Sequence, residues 1–270
     1  MYRRLLVLAL VAFACQRAPG GGASRARVVS LTPSGTEIVA ALGAADLLVG
    51  VDDYSSFPES VKTLPKVGSF MAPNLETIVR LRPTLVVVDD IHGKAAGALR
   101  DAGITAIECP MHDLPDVRSA LKTVGDKLDR APAAATAIAA IDKALDDAAA
   151  HKPAHHPKVL AVIDREPHGL GSMTAAGPGS WLDELLAVVG GDNVLAAAGA
   201  RYAKISAEEV LRTQPDVILD LTHDADLSAW STLDVPAVRD HRVRALADDP
   251  LQHPSPRVAD ALAALAAAIK

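Results

Sequence analysis

Asn74-Leu75-Glu76-Thr77-Ile78-Val79-Arg80-Leu81-Arg82-Pro83-Thr84-Leu85-Val86-Val87 reads as a capped helix, a break and a strand. The chain writes the same pattern again as Ser206-Ala207-Glu208-Glu209-Val210-Leu211-Arg212-Thr213-Gln214-Pro215-Asp216-Val217-Ile218-Leu219. Asn74 and Ser206 are residues whose side chains cap helices. A glutamate, an apolar–arginine pair, a helix-stopping proline and an apolar run then follow in both copies. Every feature recurs at a separation of 132 residues. A second pair lies 147 apart, Glu37-Ile38-Val39-Ala40-Ala41-Leu42-Gly43 against Glu184-Leu185-Leu186-Ala187-Val188-Val189-Gly190. Two matches in the same order predict a duplicated lobe.

Working outward, short apolar runs alternate with longer helical patterns. The strand candidates are Val28–Leu31, Leu47–Val51, Leu85–Val88, Ala106–Cys109, Val159–Ile163, Val217–Leu221 and Val243–Ala247. Continuous apolar runs of this length suit strands buried on both faces, as in parallel sheets with helical crossovers. From Cys109 to Val159 no strand signal appears. Leu114–Leu128 places Val117, Leu121, Val124 and Leu128 on one helical face, and Pro132 opens an Ala-rich helix near 131–151. A helix of about 20 residues is about 30 Å long, enough to bridge two lobes. The expected fold is therefore α/β, with two Rossmann-like lobes built on central parallel sheets and joined by one long connecting helix. The expected divisions are a lobe at 27–115, a connecting segment at 116–156 and a lobe at 157–270.

The N-terminus reads as an export signal in residues 1–14, with Arg3 and Arg4 before an apolar stretch from Leu5 to Ala14. Ten apolar residues are too few to span a bilayer, which takes about 20. Ala12-Phe13-Ala14-Cys15 fits a small-x-small cleavage site and also resembles a bacterial lipobox, in which Cys15 is lipidated, although Ala12 stands where Leu is usual. Residues 15–26 are Pro-, Gly-, Ala- and Arg-rich and suit a flexible tether. The expected location is the periplasm or cell envelope, with any membrane contact made through that lipid anchor. Losing residues 1–14 leaves 25 basic and 33 acidic residues, a net charge of −8. This argues against a nucleic-acid partner, which needs a basic surplus to neutralise phosphates, and no Lys/Arg-rich run appears. Cys109 is then the one thiol inside the folded part, so no disulfide within it is expected.

Arg27-Val28-Val29-Ser30-Leu31-Thr32-Pro33-Ser34-Gly35-Thr36-Glu37, Val51-Asp52-Asp53-Tyr54-Ser55-Ser56-Phe57-Pro58, Val67-Gly68-Ser69-Phe70 and Ser255-Pro256-Arg257-Val258, together with the two repeat segments, carry a family resemblance. The chain resembles the Fe/B12-type periplasmic binding proteins, or helical-backbone metal receptors, over nearly its whole length after the signal. The resemblance implies two lobes on one long helix, a ligand in the cleft and little closure on binding. It implies a monomeric substrate-binding component of an ABC importer, partnered by a permease and its ATPase. The cargo implied is a metal chelate, with cobalamin or another corrinoid favoured and haem or a ferric siderophore as the alternative, and no intrinsic cofactor. By the same resemblance Tyr54, Phe70 and Tyr202 fall at ligand-contacting positions, while Glu76 and Glu208 pair with arginines of the permease.

The residues themselves support such a cleft. Ligand contacts in open α/β lobes come from loops after strands. Ser34 with Glu37 reads as a capping box that presents a positive helix end there. Six aromatic residues remain after the signal, Tyr54, Phe57, Phe70, Trp181, Tyr202 and Trp230, all in or beside expected loops, where rings make apolar walls. His92, His168 and His253 follow strands and are candidate ligand contacts, with His112 less well placed. Met71 is a candidate soft axial ligand to haem iron. Arg165 is the candidate recogniser of an acidic group, its alternative being a buried ion-pair network. Asp90 lies in a loop where a further aromatic is expected for a corrinoid. An exported hydrolase is disfavoured, since there is no G-x-S-x-G, P-loop or zincin motif, and Ser34 and Ser172 lack an identifiable base. A bare-metal receptor needs several converging histidines. The chain is expected not to be an enzyme.

Overall fold

The computed structural model describes residues 25–224, 226–246 and 249–270; the signal, Cys15 and most of the tether lie outside them. The first lobe runs β1 (Val28–Ser30), α1 (Pro33–Ala41), β2 (Leu48–Val51), the hairpin strands β3 (Gly68–Ser69) and β4 (Ala72–Pro73), α2 (Leu75–Arg80), β5 (Leu85–Val88), α3 (Gly93–Asp101) and β6 (Thr105–Glu108). Its sheet has the order β2-β1-β5-β6, parallel throughout. All four residues of β5 are buried, as expected of an apolar run covered on both faces.

Two helices follow, α4 (Leu114–Lys127) and α5 (Ala131–Ala149). The Asp113 carboxylate accepts from the Asp116 N–H at 3.0 Å and caps α4, whose Val117, Leu121 and Val124 are buried. Pro132 stands in the first turn of α5, where its missing N–H costs nothing. The two helices pack so closely that a Cβ on Gly125 would lie 2.8 Å from that of Ala134.

The second lobe runs β7 (Lys158–Arg165), β8 (Met173–Ala176), α6 (Trp181–Val189), β9 (Asp192–Asn193), β10 (Tyr202–Ile205), α7 (Ala207–Thr213), β11 (Val217–Asp220), α8 (Pro236–Arg239), β12 (Val243–Ala245), α9 (Asp249–Gln252) and α10 (Val258–Ala268). Its sheet is parallel at the centre, where β7, β9, β11 and β12 run together, and mixed on one side, which the sequence does not announce. In the order β10-β8-β7-β11-β12, with β9 also on β7, strand β8 pairs antiparallel with both of its neighbours, β7 and β10. Neither β8 nor β10 carries a long β-branched run, so the pattern that reveals buried parallel strands passes over them.

Several local features of the repeat recur in the structure, although Asn74 caps α2 through its side chain and Ser206 makes no such bond to α7. The Arg27 N–H donates to Thr84 Oγ1 at 2.9 Å, and the Lys158 N–H to Asp216 Oδ2 at 2.8 Å; Thr84 and Asp216 are 132 residues apart. Arg82 and Gln214, at the same spacing, both take left-handed backbone (φ 47° and 48°) just before their prolines. Gly43 and Gly190 likewise follow α1 and α6 with φ of 66° and 85°, where a side chain would be strained.

The lobes are fused at the base. Val28, Leu85 and Val87 of the first sheet share one apolar cluster with Val159, Val217 and Leu219 of the second, through Val117, Leu121 and Ile141 of α4 and α5. Alternate strand residues, Val29 and Val86 in one lobe and Leu160 and Ile218 in the other, belong to separate outer clusters. Helix α5 packs on α10 and α6 as well as on α4 and α1, so the connector lies against both lobes. Among the described residues no helix is long and apolar enough to cross a membrane.

Candidate functional site

A cleft of about 960 Å³ opens between the lobes. It is walled by the segments after β1 (Thr32 to Ser34), β2 (Tyr54, Ser56), β5 (Asp89 to Ile91), β6 (Met111, His112) and β11 (Leu221, His223), and by Ser180 to Leu182 and Leu251 to Pro254. Loops beyond the carboxyl ends of parallel strands thus meet across the gap. The Thr32 side chain, rather than that of Ser34, caps α1 by accepting from the Gly35 N–H at 2.9 Å. The expected capping box is absent because Glu37 is turned inward to the second lobe. There it accepts from Arg257 Nε at 2.8 Å and lies 3.1 Å from His253 Nε2. Its counterpart Glu184 crosses the other way, accepting from the Leu114 N–H at 2.7 Å.

Of the ten candidate ligand contacts, Ser34, Tyr54, Phe70, Asp90, Tyr202 and His253 line this cleft. Tyr54 and Tyr202 leave much of their rings exposed, at 67% and 44%. Met71 stands beside Phe70, largely in solvent and not among the lining residues. Three candidates are placed elsewhere. His92 is buried: its Nδ1 accepts from the Asp89 N–H at 3.1 Å and its Nε2 lies 2.6 Å from the Phe70 carbonyl, so it props up the Phe70 loop. Arg165 is sealed in the second lobe, donating to Asp220 at 2.7 Å and to the carbonyls of Glu166, Pro167 and Asp226, with Trp230 over its guanidinium. It is the buried network that was the alternative reading, not a recogniser of cargo. His168 is exposed near Asp226.

His112, which the sequence places less well than the other histidines, lines the cleft, and so does Trp181, one of the six rings expected to make apolar walls. His112 Nε2 lies 3.1 Å from Asp90 Oδ2, inside the cleft. Trp181 leads α6, and its indole N–H is buried without a hydrogen-bond partner. Asp89, Asp90 and His112 gather potential ligand atoms within 4.8 Å of one another. Burial, together with its neighbour's charge, pushes the Asp89 carboxyl up to about 7. Hydrogen bonds from Asp89 and His112 hold Asp90 down at about 2. Between about pH 2 and about pH 7 the pair therefore carries one proton and one negative charge. Among the described residues that line the cleft there is no lysine or arginine.

A sequence model of the periplasmic binding protein family matches residues 28–250. The vitamin B12-binding protein of Vibrio parahaemolyticus is 27% identical over 243 residues, covering 87% of this chain and 86% of that protein. Among solved structures, the periplasmic heme-binding protein RhuT from Roseiflexus sp. RS-1, in its apo form, superposes with a TM-score of 0.77 at 28% identity, over 91% of this chain and 99% of its own. The periplasmic vitamin B12-binding protein BtuF of Vibrio cholerae superposes with a TM-score of 0.74 at 25% identity, over 90% and 96%.

Proposed function

The chain belongs to the periplasmic binding protein family, as a substrate-binding protein of its B12, haem and siderophore class, and from that premise we propose that it delivers a corrinoid such as cobalamin to an ABC permease. In this reading the cargo sits between lobes at 27–115 and 157–270. Export by the 1–14 signal and anchoring through Cys15 belong to the same proposal.

The observation that carries the choice of cargo is the cleft's charge. Haem presents carboxylates, which are recognised by arginine or lysine. This cleft offers the Asp89–Asp90 pair and no such cation among its described lining residues. Corrinoid side arms are neutral amides, whose N–H groups are suited to an ionised Asp90. The rings of Tyr54 and Phe70 on one wall and Trp181 and Tyr202 on the other supply flat apolar surface for a macrocycle. The second reading, a haem receptor, is favoured by the phenols and His112 as potential axial ligands. Against it, burial and nearby acids push the Tyr202 phenol up, which opposes the phenolate form.

Parallel calorimetric and absorption titrations with cyanocobalamin and haemin test the choice. Saturable one-to-one binding of cyanocobalamin, without a haemin-induced Soret shift, is expected. A shifted Soret band with no cobalamin heat would replace this reading with the second. For delivery, Glu76→Ala combined with Glu208→Ala is expected to abolish uptake while leaving cargo binding intact; loss of binding in that variant would remove the docking roles.

A further inference from the structure

Helices α2 and α7 each break the usual surface pattern at the same place. Ile78 and Val210 are fully buried and hold their helices to the lobes. Their neighbours Val79 and Leu211 point outward, with 45% and 41% of their surface exposed. These two residues are 132 apart, as are Glu76 and Glu208. On a helix, positions three apart share a face, so each glutamate has an exposed apolar side chain beside it. A lone exposed hydrophobe needs no explanation. The same exception at equivalent positions in both halves, each beside an acid, is not required by the packing of either lobe.

Both patches follow in the chain from segments that carry a cleft residue. Helix α2 leaves the β3–β4 turn that carries Phe70, and α7 leaves β10, which begins at the cleft residue Tyr202. We infer that Val79 and Leu211 are apolar anchors of the docking surface, each seated in a recess of one of two equivalent permease subunits, beside the basic group that meets Glu76 or Glu208. This rests on the docking reading above and adds to it a division of labour. Exposed charges steer encounter and are screened by salt, whereas buried apolar contacts set the lifetime of the complex. Each patch carries a base as well as an acid, Arg80 ion-paired with Glu76 on α2 and Arg212 with Glu209 on α7. What selects the partner is therefore the pairing of two like patches at equivalent places in the two halves, which suits a protein that presents the same recess twice.

The test uses the full-length protein and the permease–ATPase complex in nanodiscs, with association and dissociation measured at low and high salt. Val79→Ser with Leu211→Ser is expected to weaken docking about tenfold, about 1.4 kcal/mol. The loss should appear as faster dissociation and be equal at both salt concentrations. Glu76→Ala with Glu208→Ala should instead slow association, with a deficit that shrinks in high salt. Unchanged cyanocobalamin heats in each variant establish that it is folded; Val79→Thr with Leu211→Gln serves if the serine pair fails that check. Wild-type docking by the apolar variant alongside failure of the glutamate variant would overturn the anchors and leave the docking reading standing. Wild-type docking by both variants would remove the docking reading itself. A dimeric wild type made monomeric by the serine pair would identify a second copy as the occupant and also overturn the proposal.

Discussion

The carboxylate of Glu37 sits buried between the lobes, with Arg257 and His253 of the second lobe on its two oxygens. Burial alone would raise its pKa, but the hydrogen bonds from His253 and Arg257 outweigh that and hold it below the ordinary value. A lowered folded pKa means stability that is present above the unfolded value and lost as pH falls through the folded one. Glu37→Gln leaves Arg257 without its carboxylate, and the expected cost is about 3 kcal/mol in urea unfolding, with a flatter acid limb. Phe57 lies 4.2 Å from the Arg257 guanidinium carbon and adds a cation–π contact to the same joint. Asp89 carries the opposite sign. Its pKa is raised to about 7, so the folded state holds a proton that the unfolded chain gives up near pH 4. Stability should therefore fall as pH rises from about 4 to about 7. Asp89→Asn should flatten that window; an unchanged slope between pH 5 and 8 would remove Asp89 from the account. Asp90→Asn should weaken cyanocobalamin binding by about tenfold or more, the scale of one hydrogen bond to a charged group.

Among the elements, those whose formation is decided locally were legible in the sequence, and those decided by tertiary pairing were not. The reading of β5 as Leu85–Val88 agrees with the structure to the residue, because four consecutive buried apolar residues admit little else. Helix α5 was placed at 131–151 and runs Ala131–Ala149, since Pro132 marks its start. Strands β8 and β10 were missed because Thr174, Ala175 and Lys204 form a strand only when paired antiparallel against β7 and each other. In the cleft, the rings after strands were legible from their scarcity. The burial of Arg165 was left open because Asp220, its partner, is 55 residues away. The α4–α5 junction offers a direct check on the connector. Gly125→Val would drive side-chain atoms into Ala134 at a contact already as close as 2.8 Å for a bare Cβ. Overpacking of this kind costs about 1–3 kcal/mol. A thermal midpoint equal to wild type would show that α4 and α5 do not meet there.

At the scale of the whole molecule, the shared apolar base and the Glu37 joint make the two lobes one mechanical body with a cleft rather than two bodies on a free hinge. Small-angle scattering with and without cyanocobalamin should accordingly superimpose; a marked contraction on binding would show a hinge that the packing of α5 on both lobes does not permit. Rigidity suits the proposed docking, in which α2 and α7 are presented at a fixed spacing whether or not cargo is bound. Everything about cargo, however, depends on what occupies the cleft. The most direct measurement is mass spectrometry of the small molecule that the protein carries through gentle purification from its native host. The account predicts one corrinoid per chain, lost when Tyr202 and Phe70 are both replaced by alanine. Haem or a ferric siderophore in its place, or a corrinoid retained equally by that double variant, would contradict it.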